Sequence, residues 1–342
     1  SPFASIGHVG NAAMCAHYAQ MIQLAIENGI AQAFAEGTDI LSKAAGYENP
    51  DIGRTMKKWN DEGGKLSSYL LRSLSKIHYK RDDISKKGFV VDHIFDSVDS
   101  NDADKWVTLE ATKLGVPAPT VNASIEARFF SAMKDDRVEA STILKVPKMV
   151  DTPSVMKDQI AEDLQNAIYC ACLCIYAECF SILQAASEAE SWDVNIEECV
   201  RLFNLPGSFQ ESSLLERIHS ALTTENNPDQ FKNLLVVPDI ASELQELHMS
   251  WRRSVTLSFA SAIPCPTLSA SLTYYDSYRS RKLPIGVVRA QRDYFDASGY
   301  DRMEEEGWFT TCWTTTHTRE KKKKDAAMVK EGSPKKKKRK TK

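Results

Sequence analysis

No segment of this sequence alternates apolar and polar residues long enough to build a sheet, and no internal repeat is visible in its letters. Those absences argue against sandwiches, barrels and solenoids. No apolar run reaches membrane-spanning length, so the chain reads as soluble, with no membrane partner. The 8 cysteines include no C-x-x-C pair and no Cys/His spacing suited to zinc, which leaves no metal site to propose. Four of them, Cys170, Cys172, Cys174 and Cys179, crowd one apolar stretch, where cysteine behaves as a small buried hydrophobe. A reducing compartment fits that usage best. No aromatic residue follows Trp313, so the basic C-terminus offers nothing on which the bases of a single strand could stack.

What is present is helical periodicity. The 342 residues, 42% hydrophobic and 26% charged, suffice for a large core. Helical patterns run over 17–45, 51–60, 64–78, about 122–135, 154–191, 194–203, 211–222, 228–235, 239–262, 268–281 and 285–297, with Lys105-Trp106 opening one more that stops before Gly115. Val90 to Val98 reads as a further apolar-periodic segment, followed by a turn-rich stretch over 99–104. Asn49-Pro50 reads as a break, and Thr267 as the N-cap of the helix after Ile263-Pro264-Cys265-Pro266. The body is therefore expected to be all-α.

Charge divides the chain. Residues 319–342 carry 13 Lys and Arg against 3 Asp and Glu, a surplus of ten positive charges, while the rest is acidic by thirteen. Such a break marks a boundary near residue 318. The organisation read here is a short leading segment, 1–16, an all-helical domain, 17–318, and a Lys-rich tail, 319–342. The chain opens on Ser-Pro rather than Met, which suggests a start inside a longer product or after processing.

The first helix carries an unusual stripe. At about 100° per residue, Gln20, Gln23, Leu24, Glu27 and Asn28 share one narrow face, flanked by apolar Tyr18, Ile22, Ala25 and Ala33. A polar stripe of this kind is either a solvated face or the wall of a site.

Its letters, Met14-Cys15-Ala16-His17-Tyr18-Ala19-Gln20-Met21-Ile22-Gln23-Leu24-Ala25-Ile26-Glu27-Asn28-Gly29, resemble the first helix of the C-terminal domain of 6-phosphogluconate dehydrogenase. Further blocks follow in that family's order: Trp59-Asn60 with Leu66-Ser67-Ser68-Tyr69-Leu70, Lys105-Trp106 with Leu114-Gly115-Val116-Pro117, Ala127-Arg128, and Lys134-Asp135-Asp136-Arg137. Trp251-Arg252-Arg253, Thr267-Leu268-Ser269-Ala270-Ser271-Leu272, Tyr275-Asp276-Ser277-Tyr278-Arg279 and Ala290-Gln291-Arg292-Asp293-Tyr294-Phe295 complete the series. The resemblance spans roughly residues 5 to 316. It implies the family's multi-helix domain, a homodimer, and descent from an NADP-dependent enzyme that decarboxylates 6-phosphogluconate oxidatively to ribulose 5-phosphate in the pentose phosphate pathway.

The resemblance also shows what has changed. The family's general-base lysine falls on Gln20, which cannot accept a proton at neutral pH. Its assisting acid is kept as Glu27. Its His-Asn pair is Gln23-Leu24 and its phosphate-binding tyrosine is Asn28. A phosphate-contacting lysine falls on Asn101, and the glycines that follow it have become Asp102-Ala103-Asp104, whose carboxylates would repel a phosphate. Lys105 is retained. Arg128 and Arg292 stand at the two phosphate-binding arginines, either as residual anion contacts or as structural ion-pair partners, and the family's histidine after the second is Ser298. The family's dinucleotide-binding domain has no counterpart here. Gly7-His8-Val9-Gly10 lacks a strand–turn–helix setting, so NADP is implied by resemblance only, with the junction to a missing domain at 1–16.

Two function classes follow: a divergent 6-phosphogluconate dehydrogenase with impaired or lost catalysis, whose ligand is 6-phosphogluconate or another anionic sugar phosphate, and a non-catalytic dimerising scaffold or regulator. The run Lys335, Lys336, Lys337, Lys338, Arg339 and Lys340 resembles a nuclear-import signal, giving a cytoplasmic or nuclear location. The same tail read as a plain polycation would bind any polyanion. Position separates these readings. As an import signal, Lys336→Ala with Lys337→Ala abolishes nuclear accumulation of a tagged protein, while Lys322→Ala with Lys323→Ala does much less. Equal effects from the two pairs, or a protein that is never nuclear, would count against import. A phosphate on Ser333 adds about −1.5 to −2 charges beside the run and is expected to weaken it.

Overall fold

The computed structural model describes residues 6–61, 64–98, 102–146, 154–206, 208–209, 211–223 and 232–314, with the backbone alone at 102–104 and 154–155. Twelve α-helices lie among these residues: α1 (Ala13–Lys43), α2 (Asn49–Asn60), α3 (Tyr69–Tyr79), α4 (Asp102–Leu114), α5 (Pro119–Ala132), α6 (Lys134–Ile143), α7 (Ser154–Glu190), α8 (Ile196–Phe203), α9 (Ser213–Thr223), α10 (Pro238–Ala260), α11 (Pro266–Arg279) and α12 (Ile285–Asp296). The only strands among them are β1 (Tyr300–Asp301) and β2 (Trp308–Phe309), a two-residue antiparallel pair. The all-α expectation holds. Two compact units are resolved, one up to Tyr278 and one from Arg279 on.

The first unit is built on α1 and α7, which lie side by side with α2–α5 and α8–α11 packed about them. From Leu164 to Leu183, α7 is buried nearly all round, as its letters suggest. The absence of a membrane-length apolar run does not hold: Met156–Glu190 is long and apolar enough to cross a membrane, yet 89% of its most apolar window lies inside the protein. Close approach of the two helices depends on glycine. A Cβ at Gly37 would stand 2.6 Å from Ile168 Cδ1, and one at Gly29 3.1 Å from Ile175.

A repeat invisible in the letters is plain in the geometry. Ser68 and Ser212 pair as an antiparallel bridge, with Tyr69 N–H donating to Glu211 O at 3.0 Å and Ser213 N–H to Ser67 O at 2.9 Å. Asn60 Oδ1 accepts from Ser68 N, and Asn204 Oδ1 from Ser212 N, both at 2.9 Å. Ser68 Oγ then caps α3 at Leu71 N, and Ser212 Oγ caps α9 at Leu215 N. Reciprocal contacts of this kind define a local two-fold relation between α1–α5 and α7–α11.

The same reciprocity governs two buried carboxylates. Glu178 on α7 accepts from Thr120 N at 3.1 Å, Thr120 Oγ1 at 2.6 Å and Val121 N at 3.0 Å, capping α5. Glu36 on α1 accepts from Thr267 N at 2.9 Å and Leu268 N at 3.0 Å, capping α11, with Gln32 Nε2 adding a bond at 3.1 Å. Both helices open on a proline, which has no N–H to satisfy. Thr267 is therefore not the cap: it lies one residue inside α11, and a carboxylate 231 residues away does that work.

Other boundaries moved for local reasons. α1 begins at Ala13 and ends at Lys43. Asn49-Pro50 starts α2 rather than breaking the chain, because Pro is tolerated in a first turn. Over 90–98 only a 3₁₀ turn, Val90–His93, forms, with Ile94 and Phe95 exposed. Asp92 holds that turn by accepting from Asn49 Nδ2 at 2.7 Å and Phe89 N at 3.3 Å. The turn-rich stretch after it gives way to helix at Asp102. The helix expected near 122–135 starts earlier, at its carboxylate-capped proline, and ends at Ala132, with Met133 separating it from α6. The first half of the helix expected at 228–235 falls outside the described residues; 232–233 are not helical, and a 3₁₀ turn, Leu234–Val236, lies at its end.

Replacing Glu178 tests the cap. Glu178→Gln turns an amide N–H toward one of the two backbone N–H groups that the carboxylate accepts from, and should cost about 1–3 kcal/mol in chemical denaturation. Burial pushes the Glu178 carboxyl up to about 8 from 4.5, against the pull of its donors. Its contribution is thus full below about pH 4.5 and lost as pH rises through about 8. The margin of wild type over Glu178→Gln should narrow across that window.

Candidate functional site

The polar stripe of α1 forms one wall of the candidate site. Gln20 is exposed, Gln23, Glu27 and Asn28 are half-buried, and Leu24 is 37% exposed, while Tyr18, Ile22, Ala25 and Ala33 beside them are buried. The flanking residues anchor the helix and leave this face outside the core. Gln23 Nε2 donates to Glu27 Oε1 at 3.4 Å. Burial raises the Glu27 carboxyl above its ordinary range, and the Gln23 donor draws it partly back.

Arg128 on α5 reaches this wall: its Nη2 donates to Asn28 Oδ1. α5 can place it there because Glu178 fixes the first turn of α5 and Thr108 Oγ1 on α4 donates to Asn122 Oδ1 at 2.9 Å. Tyr18 Oη, donating to Glu110 Oε2 at 3.4 Å, ties α1 to α4 below the stripe. The phenol's pKa is raised by burial and by that carboxylate. Lys105 is exposed on α4. Close by in sequence, Lys134 and Arg137 hold Asp96 at 2.5 and 3.0 Å, and their donated bonds lower its carboxyl to about 2.

The structure thus joins Gln23 to Glu27 and Asn28 to Arg128, with Gln20 one turn away on the same face. Asn101 lies outside the described residues. Asp102, Ala103 and Asp104 belong to the first turn of α4, not to an open loop. The tail from Arg319, with Lys335–Lys340, is likewise outside the described residues.

Arg292 and Ser298 belong to the C-terminal unit. Arg292 is exposed on α12. The Ser298 hydroxyl is buried with no hydrogen-bond partner among the described residues. Between them stands Asp293, which sequence reasoning passed over. Its carboxylate accepts from Gly299 N at 2.9 Å, Thr310 Oγ1 at 2.7 Å, Thr311 N at 2.8 Å and Trp313 Nε1 at 2.8 Å. Those four bonds fasten the β1–β2 pair to the end of α12. An acidic residue flanked by Arg292 and Tyr294 was the available signal, and nothing local says where its donors come from.

The described residues do not fit a dinucleotide. They contain no parallel sheet, and the glycines near the start pack against protein. A Cβ at Gly10 would meet Cys15 Sγ at 2.7 Å and Trp192 O at 2.9 Å, and one at Gly7 would strike Glu198. Asn11 N–H donates to Trp192 O and Asn195 N–H to Val9 O, at 2.9 and 3.0 Å, which seats this segment along the chain before α8. No phosphate cradle is formed there.

Comparison with known proteins agrees with this architecture. The family model described as 6-phosphogluconate dehydrogenase, C-terminal domain, matches residues 16–313. The Spinacia oleracea protein named 6-phosphogluconate dehydrogenase, decarboxylating 1, is 35% identical over 300 residues, covering 87% of this chain and 61% of that one. The Escherichia coli 6-phosphogluconate dehydrogenase, decarboxylating, is 35% identical over 297 residues with the same coverage. The chain therefore spans about three fifths of the length of these relatives. A Plasmodium falciparum 6-phosphogluconate dehydrogenase, solved in its apo form and in complex with its cofactor NADP+ and its substrate 6-phosphogluconate, superposes with a TM-score of 0.84 at 30% identity, covering 90% of this chain and 64% of that one. On fold, on sequence and on the order of its motifs, this chain belongs to the 6-phosphogluconate dehydrogenase family and corresponds to that family's C-terminal helical domain.

Proposed function

We propose that this chain keeps the frame of a 6-phosphogluconate dehydrogenase but has lost its proton-transfer chemistry. One observation carries the reading: the residue at the general-base position, on the exposed face of α1, is Gln20, an amide with no proton-accepting nitrogen at neutral pH. The surrounding contacts support it. Glu27, the family's assisting acid, is hydrogen-bonded to Gln23 on its own helix, and Arg128 is engaged by the Asn28 side chain. A general base contributes about 10²–10⁴ in rate, so its loss together with altered substrate contacts leaves little turnover. NADP and 6-phosphogluconate, or another anionic sugar phosphate, are the ligands the family would bring. Arg128 is the residue of this unit best suited to a residual anion. In solution the chain acts as a dimerising scaffold or regulator, cytoplasmic or nuclear according to how its Lys335–Lys340 run is read by an import receptor.

The activity test is direct. The purified protein, alone and mixed with a dinucleotide-binding domain from a relative, is expected to form no NADPH from NADP+ and 6-phosphogluconate. Appreciable NADPH would overturn the reading, and Gln20→Lys should then matter little.

Dimerisation rests on a second observation, the apolar surface of the C-terminal unit. There α12 exposes Ile285, Val287 and Phe295, the last by 84%, and the segment after it exposes Met303, Trp308 and Trp313. A second copy covering these residues suits a two-fold assembly. Sedimentation equilibrium at micromolar concentration should give about twice 38.3 kDa, and a purely monomeric species would exclude the dimer.

A further inference from the structure

At the local two-fold of the first unit, a small cavity of about 30 Å³ is lined by four matched pairs of residues together with Leu66 and Phe209. Ile30 and Phe34 come from α1, Cys172 and Tyr176 from the corresponding turns of α7. Ser68 and Leu70 face their counterparts Ser212 and Leu214. Glu36 and Glu178, whose reciprocal caps define the relation, lie the same two residues beyond Phe34 and Tyr176. Phe34 on one side thus answers to Tyr176 on the other, and the tyrosine adds a single hydroxyl to an otherwise symmetric apolar wall.

That hydroxyl is in an exacting position. Tyr176 is fully buried, and its Oη meets no hydrogen-bond partner among the described residues. Burial drives the phenol's pKa far up, and the Ser212 hydroxyl close by draws it partly back. Leaving a buried hydroxyl unpaired costs about 1–3 kcal/mol. Both serine oxygens already accept a helix N–H, and each hydroxyl still carries a proton to donate.

We propose that this cavity is a specific internal hydration site, in which one or two water molecules join Tyr176 Oη to the hydroxyls of Ser68 and Ser212 and so link the two halves of the helical unit. Size and chemistry agree. About 10–15 Å³ of such space holds one water, and a buried water needs two to four polar partners, which these hydroxyls supply. The cavity is too small for a sugar phosphate, and its walls present no charge. Water here can accept from the serines and donate to the phenol oxygen, which gives Tyr176 Oη the partner it lacks.

The sign of one substitution decides the matter. Tyr176→Phe places on α7 the side chain that α1 already carries at the matching position, so the fold has room for it. With water bound, the variant removes a satisfied hydroxyl and strands the solvent, and its folding equilibrium constant should fall about tenfold in urea denaturation. With the cavity dry, the same change deletes an unpaired polar group and leaves stability equal or higher, which would overturn the proposal. The double variant Tyr176→Phe/Ser212→Ala should lose less than the sum of its singles, because both share the water; strict additivity would contradict it. A high-resolution crystal structure of the wild-type chain reads the site independently of any variant. It should show density within hydrogen-bond distance of Tyr176 Oη and both serine Oγ atoms, and an empty cavity would refute the site.

Discussion

Two buried carboxylates set the geometry of the helical unit. A helix N-terminus leaves several backbone N–H groups without intrahelical partners, and inside a core no water is at hand to satisfy them. Glu178 answers this need for α5 and Glu36 for α11, each reaching across from the long central helix of the other half. Because each cap works only when α1 and α7 run side by side at a fixed offset, the pair dictates the two-fold arrangement. Gly29 and Gly37, the small residues facing α7, follow from that closeness. The C-terminal unit uses the same physics on a smaller scale, with Asp293 gathering four donors at the end of α12.

The candidate site inherits its form from this frame. One face of α1 carries Glu36 and the core residues; another, bearing Gln20, Gln23, Glu27 and Asn28, is left half-exposed. The cap on α5 fixes where that helix begins, and Arg128, farther along it, then falls against Asn28. Frame and site thus lie on different faces of the same helices. Substitutions on the exposed face leave the capped ends and the α1–α7 contact untouched, so the family frame, kept here at 30% identity with a TM-score of 0.84, does not depend on which side chains the stripe carries. Fold stability and site chemistry answer to separate sets of residues here.

Much was legible in the letters because it is local. The apolar pattern of α7, with its alanines and cysteines, read as a helix buried nearly all round, and the structure puts it in the core. The stripe on α1 was readable from the 100° rotation per residue, and its exposure came out as the periodicity required. Beside these, Val90–Val98 misled: an apolar pattern that could pack as helix is held instead as a 3₁₀ turn by Asp92 and its bond to Asn49 on α2.

Helix identity, the apolar faces and the residue types along the stripe were determined by the sequence itself, since each depends on neighbours within a few turns. Which carboxylate caps which helix was decided only by tertiary structure. Glu36 and Thr267 lie 231 residues apart, and no periodicity within a helix encodes such a pairing. The same holds for Arg128 meeting Asn28 and for the internal repeat. The repeat is carried by matched hydrogen bonds, Asn60 to Ser68 and Asn204 to Ser212, while the letters around them differ, because backbone geometry needs a few polar anchors and tolerates any apolar side chain of fitting size between them.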